Sequence, residues 1–218
     1  MEFIINGQGS DAVKMIMVLT MISVAPFILL MMTCFTRIII VLSFLRSALG
    51  LQQTPPNQVL VGLALFVTFF IMQPVLTQVN DVALQPYNDG LIETQEFLDR
   101  AAVPMKEFML KQTTTSEVEL FKSLSANKDV ANMKAEDLPL HIVVPAFITS
   151  ELKRAFLIGF LLYIPFLIID MIVASTLMSM GMIMLSPVMI SLPFKIMLFV
   201  VVDGWSLLIK TLVMTYNT

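Results

Sequence analysis

The chain has 218 residues, of which 57% are hydrophobic and only 13% charged, against about 45–50% and 25% in a soluble domain. Of its 13 basic and 16 acidic residues, 17 fall within 81–137, where the net charge is −5, while the flanks together carry +2. These values exclude a disordered chain, an ordinary soluble globule and a nucleic-acid binder relying on a basic surface.

In chain order, the first uncharged window is 15–36, 22 residues between Lys14 and Arg37 and long enough to cross a bilayer as a helix. No basic residue precedes Lys14, so a cleavable signal peptide is not expected. A short apolar run follows, 38–45, then Gln52-Gln53-Thr54-Pro55-Pro56-Asn57, a loop signal because Pro-Pro cannot continue a helix. The second uncharged window is 58–80. Arg37 and Arg46 place the loop before it in the cytoplasm and the acidic middle outside, although Lys153 and Arg154 then run against the positive-inside rule.

The middle reads as soluble and helical. Phe97, Leu98, Ala101, Ala102, Met105, Phe108 and Met109 recur at three- and four-residue spacing, which makes one amphipathic face. Pro104 is expected to kink that helix or divide it. Ser116-Glu117-Val118-Glu119 fits a capping box. The third window, 155–169, is short for a span at 15 residues; the fourth, 171–194, contains Gly181, Pro187 and Pro193; a last apolar run, 196–209, is interrupted by Asp203-Gly204. With no alternating β-rich runs, the expected fold is all-α. It comprises membrane-associated kinked helical hairpins at 1–80 and 142–218 around a soluble helical insert at 81–141.

Charges and prolines inside the apolar flanks argue against lipid on all sides. Arg37, Arg46, Glu151, Lys153, Arg154, Asp170, Lys195 and Asp203 lie between apolar runs. A charge at mid-bilayer is expensive and faces protein or water, and broken helices at membrane depth need cover. The helices are therefore expected to pack against other subunits.

Catalytic and cofactor signals are missing from the sequence. Cys34 and His141 are the single cysteine and histidine, which gives no Cys–His pair and no His-rich metal site. No Gly-rich phosphate loop appears, so no enzyme activity, metal or cofactor is expected. Glu151 follows Thr149-Ser150, which looks like a helix start. It serves either as a favourable charge at that helix end or as the partner of a base on a neighbouring copy, with Lys195 the best candidate. Met178, Met180, Met182 and Met184 alternate with Ser179, Gly181 and Ile183. In a helix this is gap-filling; in a loop all four lie on one side, and flexible Met side chains from several copies can close a hole yet yield to a large passing object.

Several strings resemble one family closely. Met32-Thr33-Cys34-Phe35-Thr36-Arg37-Ile38 and Pro55-Pro56-Asn57-Gln58-Val59-Leu60 are similar to the amino-terminal half of the FliP family of flagellar export-gate proteins. Val144-Pro145-Ala146-Phe147, Thr149-Ser150-Glu151-Leu152-Lys153, Ile164-Pro165-Phe166-Leu167-Ile168-Ile169-Asp170, Leu192-Pro193-Phe194-Lys195 and Val202-Asp203-Gly204-Trp205 resemble its second half. The family is related to the R-type gate subunits of virulence type III secretion.

The resemblance implies a non-enzymatic subunit of a type III protein export channel. Five copies would assemble with Q-type and R-type gate subunits into a helical cone, in the bacterial cell membrane at the centre of the flagellar basal body and its rings. The closed pore would pass unfolded flagellar proteins. The family's Met-rich gasket falls on Met182, Ile183 and Met184, with Ile183 where many members have Met. Its assembly-critical acid falls on Glu151, its basic position on Lys195, and Asp170 matches the acid closing the Ile-Pro-Phe string. Two other functions are open to the residues: a small-solute transporter with its site at the broken helices, and an intramembrane hydrolase using Asp170 and Asp203.

Overall fold

The computed structural model describes residues 8–126, 129–182 and 184–216, and no strand occurs among them. The chain is all-helical. Helix α1 covers Gln8–Met31 and passes through Pro26. It ends at a turn in which the Thr33 hydroxyl donates to the Leu30 carbonyl at 2.7 Å and accepts from the Phe35 amide at 3.3 Å, so the first apolar window is split near its end. Helix α2, Phe35–Ala48, buries Arg37, Ile38, Val41, Leu42, Leu45 and Ala48, a stripe at helical spacing. Gly50, at φ +78°, adopts the left-handed turn that closes α2, a conformation glycine takes without penalty.

Helix α3, Asn57–Val79, does not stop at the edge of the apolar window. It continues through a five-residue π-helical turn, Asn80–Leu84, into α4, Gln85–Asn88, giving one helical stretch of 32 residues. Helix α5, Thr94–Gln112, runs undivided through the buried Pro104. A proline removes one backbone donor, and here burial of Pro104, Phe108 and Met109 holds the helix together. Helix α6, Thr115–Leu124, starts ahead of the predicted capping box, and no side-chain cap forms. Glu117 turns instead to Lys153 on a later helix. Helix α7, Asp129–Asn132, and a single 3₁₀ turn, Ala135–Asp137, complete the insert.

The largest departure from the sequence-based expectation is α8, Leu140–Ser179, 40 residues without a break. It passes through Pro145 and Pro165 and joins the third window to the first part of the fourth. At 1.5 Å per residue it is about 60 Å long, twice the roughly 30 Å of a bilayer's hydrocarbon core. Its first third packs on the insert, where Ser150 bonds Gln112 and Thr114 and Lys153 bonds Glu117. Helices α9, Pro187–Val201, and α10, Gly204–Met214, return along α8 and are bent by 63° at Asp203, which has φ 50° and ψ 52°. Pro193 lies inside α9 without ending it. Among the described residues, two helical stretches are long and apolar enough to cross a membrane, 57–88 and 140–179, and the bent α9–α10 pair makes a third if counted as one span.

Helix α2 lies along α8 in the same direction. Arg37 meets Glu151, the Phe44 and Phe156 rings pack edge to face at 5.2 Å, and Ser47 and Tyr163 share a groove. Gly159 permits this approach. A Cβ there would lie 2.5 Å from Cγ of Phe44, closer than any relaxed contact. Gly159→Ala is therefore expected to force α2 and α8 apart and to cost about 1–3 kcal/mol, the usual range for overpacking. Thermal unfolding of the detergent-solubilised protein checks this, and adding Phe44→Ala should relieve the clash while opening a cavity of its own.

Candidate functional site

Two buried charged clusters and one exposed turn carry the polar and sulfur chemistry of the apolar flanks. The first cluster gathers residues from four elements. Arg37 on α2 and Glu151 on α8 are each 0% exposed. The Arg37 Nε donates to Glu151 Oε2 at 3.0 Å and its Nη2 to Oε1, the bidentate geometry that suits a planar guanidinium. Nη1 donates to Thr215 Oγ1 at 2.9 Å. The Tyr216 hydroxyl donates to Glu151 Oε2 at 2.6 Å, and the guanidinium carbon sits 3.8 Å from the centre of the Tyr216 ring. Gln112, from the end of α5, accepts from Arg154 at 3.1 Å and donates to the Tyr216 carbonyl at 3.4 Å. Ser150 bridges the Gln112 carbonyl and the Thr114 amide, 3.2 Å each.

Burial first, and the Glu151 carboxylate next, raise the Tyr216 hydroxyl well above the ordinary tyrosine value. It stays protonated and serves as a donor. Among the described residues no buried side-chain nitrogen or oxygen lacks a partner, so this cluster meets the condition under which buried charge is tolerable.

The geometry corrects one expectation about Glu151. It lies in the twelfth position of α8, well past the helix start at Leu140, so it is not a charge placed at a helix end. Within the chain its base is Arg37, and Lys195 meets Asp170.

Lys195 has its own acid. It is 2% exposed, and its Nζ donates to Asp170 Oδ2 at 2.6 Å and to the Ala48 carbonyl at 3.3 Å. Ser191 donates to Asp170 Oδ1 at 2.5 Å. This second cluster fastens α8 to α9 and both to the end of α2. Asp203 is exposed at the α9–α10 bend, while the hydrogen bonds of Asp170 go to Lys195 and Ser191.

The methionine turn joins α8 to α9. Gly181, at φ +74°, ends α8. Its amide donates to the Met178 carbonyl at 3.1 Å and the Met182 amide to the Leu177 carbonyl at 3.0 Å, a Schellman closure that requires the left-handed conformation. Pro187 then opens α9 at its first position, where its missing amide costs nothing. Met178 lies in the last turn of the helix, and Met180, Met182 and Met184 fall in the turn that follows. All four are exposed in the single chain, Met184 completely. Ile183 lies outside the described residues.

Sequence reasoning singled out Glu151, Lys195 and Asp170, and named Arg37 among the charges between apolar runs without pairing it, but missed Tyr216, Gln112 and Ser191. Arg37 was detectable as a lone base inside an apolar run. Tyr216 and Gln112 carried no such signal, because their bonds to Glu151, Arg154 and each other span 42 to 104 residues of sequence. No group of three or more His, Cys, Asp or Glu among the described residues is placed to hold a metal ion.

Fold and site together define an all-helical, membrane-associated protein whose buried charges fasten its own helices and whose apolar faces and methionine turn point outward. The FliP family model matches residues 18–212. The "Flagellar biosynthetic protein FliP" of Bacillus subtilis (strain 168) is 56% identical over 207 residues, covering 95% of this chain and 93% of that protein. The protein of the same name from Aquifex aeolicus (strain VF5) is 50% identical over 97% of this chain and 89% of its own length. That from Pectobacterium carotovorum subsp. carotovorum is 51% identical over 94% and 79%. The chain belongs to the FliP family.

Proposed function

We propose that this chain is a component of the flagellar export apparatus. Several copies of it, five by likeness to the family, join Q-type and R-type gate subunits to form a closed pore in the bacterial cell membrane, at the flagellar basal body. Unfolded flagellar proteins pass through that pore, and the chain itself performs no catalysis. Three regions follow from this assignment: an apolar hairpin at 1–80, an outward-facing insert at 81–141 and an apolar hairpin bearing the gate at 142–218.

The observation that carries the proposal is the contrast between the α8–α9 turn and the two clusters. Four of the charges in the apolar flanks are neutralised in pairs, Arg37 with Glu151 and Lys195 with Asp170. The flexible, polarizable Met180, Met182 and Met184 stand exposed on a turn held firmly at both ends. Exposed apolar side chains on α3, α8 and α9, among them Phe66, Phe70, Phe156, Phe160 and Val201, make a far larger patch than a soluble monomer tolerates. They supply material for subunit packing. Glu151, Lys195 and Asp170 then act in assembly by fixing the shape of each hairpin that neighbouring copies meet.

Cells lacking the chain are expected to export no flagellar subunits into the medium and to regain export when it is restored. Undiminished export in its absence would overturn the assignment.

A further inference from the structure

Asp170 is held from α9 by two side chains one turn apart. The Ser191 hydroxyl donates to its Oδ1 at 2.5 Å and the Lys195 Nζ to its Oδ2 at 2.6 Å. Ser191 and Lys195 stand at i and i+4 and so share one face of the helix. Ser191 is 0% exposed and Lys195 2%. The Ser191 oxygen also lies 3.1 Å from the Val188 carbonyl, an alternative acceptor within α9, but the bond to the carboxylate is the shorter and the stronger.

The two contacts are not equivalent. A lysine ammonium rides on a flexible four-carbon stem and keeps its partner while α9 slides or turns a little. A serine hydroxyl sits directly on Cβ and has no such slack. Together the contacts fix the height and the rotation of α9 against α8, and Ser191 sets the tolerance.

What depends on that register is the methionine turn. Between Asp170 and Ser191 the chain runs up α8 to Ser179, through the turn and back along α9 from Pro187. Residues 171–179 of α8 and 187–190 of α9 stand beyond this latch, roughly 13 Å of helix against 6 Å. Apolar packing between the two helices is incomplete there. A groove of about 440 Å³ runs from Ile169 and Phe194, beside the latch, past Ile172, Thr176 and Ile190 to Met180. The backbone closure at Gly181 shapes the start of the turn, while the latch fixes where the turn stands.

We propose that Ser191 is a positioning residue for the gate: acting through Asp170, it sets the register of α9 on α8 and so holds the methionine turn in place. The consequence for the seal rests on the pore reading given above; the positioning of the turn does not.

Hydrogen–deuterium exchange of the purified complex, read by mass spectrometry, tests the positioning. Ser191→Ala should speed exchange across 177–190 about tenfold or more, the effect of losing a hydrogen bond to a charged group, without altering the mass of the complex. Phe199→Leu, a buried change at the far end of α9, is the control for general loosening. It should lower the unfolding temperature and leave exchange in the turn as it was. Unchanged exchange in Ser191→Ala, or an equal rise in Phe199→Leu, overturns the proposal. In planar bilayers Ser191→Ala should leak ions, though less than the alanine triple at 182–184. A leaking triple beside a tight Ser191→Ala overturns the link from latch to seal. A tight triple counts against the pore reading instead, and exchange alone then decides the role of Ser191.

Discussion

Glu151→Ala is expected to lower the unfolding temperature of the solubilised protein by roughly 6–20 °C. The figure follows from the about 3–5 kcal/mol lost when one partner of a buried ion pair is removed, at about 2–4 °C per kcal/mol for a chain of this size. The loss is large because Arg37 is 0% exposed and keeps only the oxygens of Thr215 and Gln112 once the carboxylate is gone. Tyr216 loses the acceptor of its 2.6 Å hydrogen bond at the same time. Against a total of about 5–15 kcal/mol for a typical protein, about 0–12 kcal/mol remains, so the variant should fold with a reduced margin and assemble in lower yield.

The double variant Arg37→Met/Glu151→Leu separates charge from shape. Replacing a buried pair by apolar groups of similar volume is often neutral or stabilising, so the double variant should recover most of the lost stability. A single variant that unfolds within a degree or two of the parent would show that the pair does not fasten α2 to α8.

The triple substitution Met182→Ala, Ile183→Ala and Met184→Ala should have the opposite profile. Met182 and Met184 are exposed in the single chain, so their loss leaves folding and subunit mass unchanged. What changes is the seal. Long, flexible side chains meeting at a pore axis exclude water and ions, and methyl groups in their place leave a gap. Complexes carrying the triple variant should pass ions and small solutes where the parent passes none, measured as conductance in planar bilayers. Each single substitution should give a smaller leak. Normal impermeability of the triple variant would remove the gasket role from this turn.

The helical class, the apolar flanks and the polar middle were legible from composition and periodicity because these follow from local chemistry. Helix ends were less so. Pro104 read as a kink or a break and Pro193 as an interruption of its apolar window, yet neither ends its helix, and Pro145 and Pro165 lie inside α8. A proline's cost is local and fixed, while packing, such as that of α2 along α8, is a tertiary gain that no window of sequence displays. The ends of α2, α8 and α9 each fall at a residue in the left-handed conformation, Gly50, Gly181 and Asp203.

The charged residues behaved similarly. That Glu151, Asp170 and Lys195 need partners follows from their apolar surroundings. Which partner each takes does not, because Arg37 lies 114 residues from Glu151 and Lys195 lies 25 from Asp170. The apolar setting of Lys195 suggested it as the base for Glu151 of a neighbouring copy; within one chain Glu151 meets Arg37 and Lys195 meets Asp170.

Electron microscopy of the particle purified with its partners tests the central claim most directly. It should show several copies of this chain around one axis, forming a cone closed by converging α8–α9 turns, with the Arg37–Glu151 pairs inside each subunit. A monomer or dimer with no axial pore, or a ring whose methionine turns face away from the axis, would contradict it.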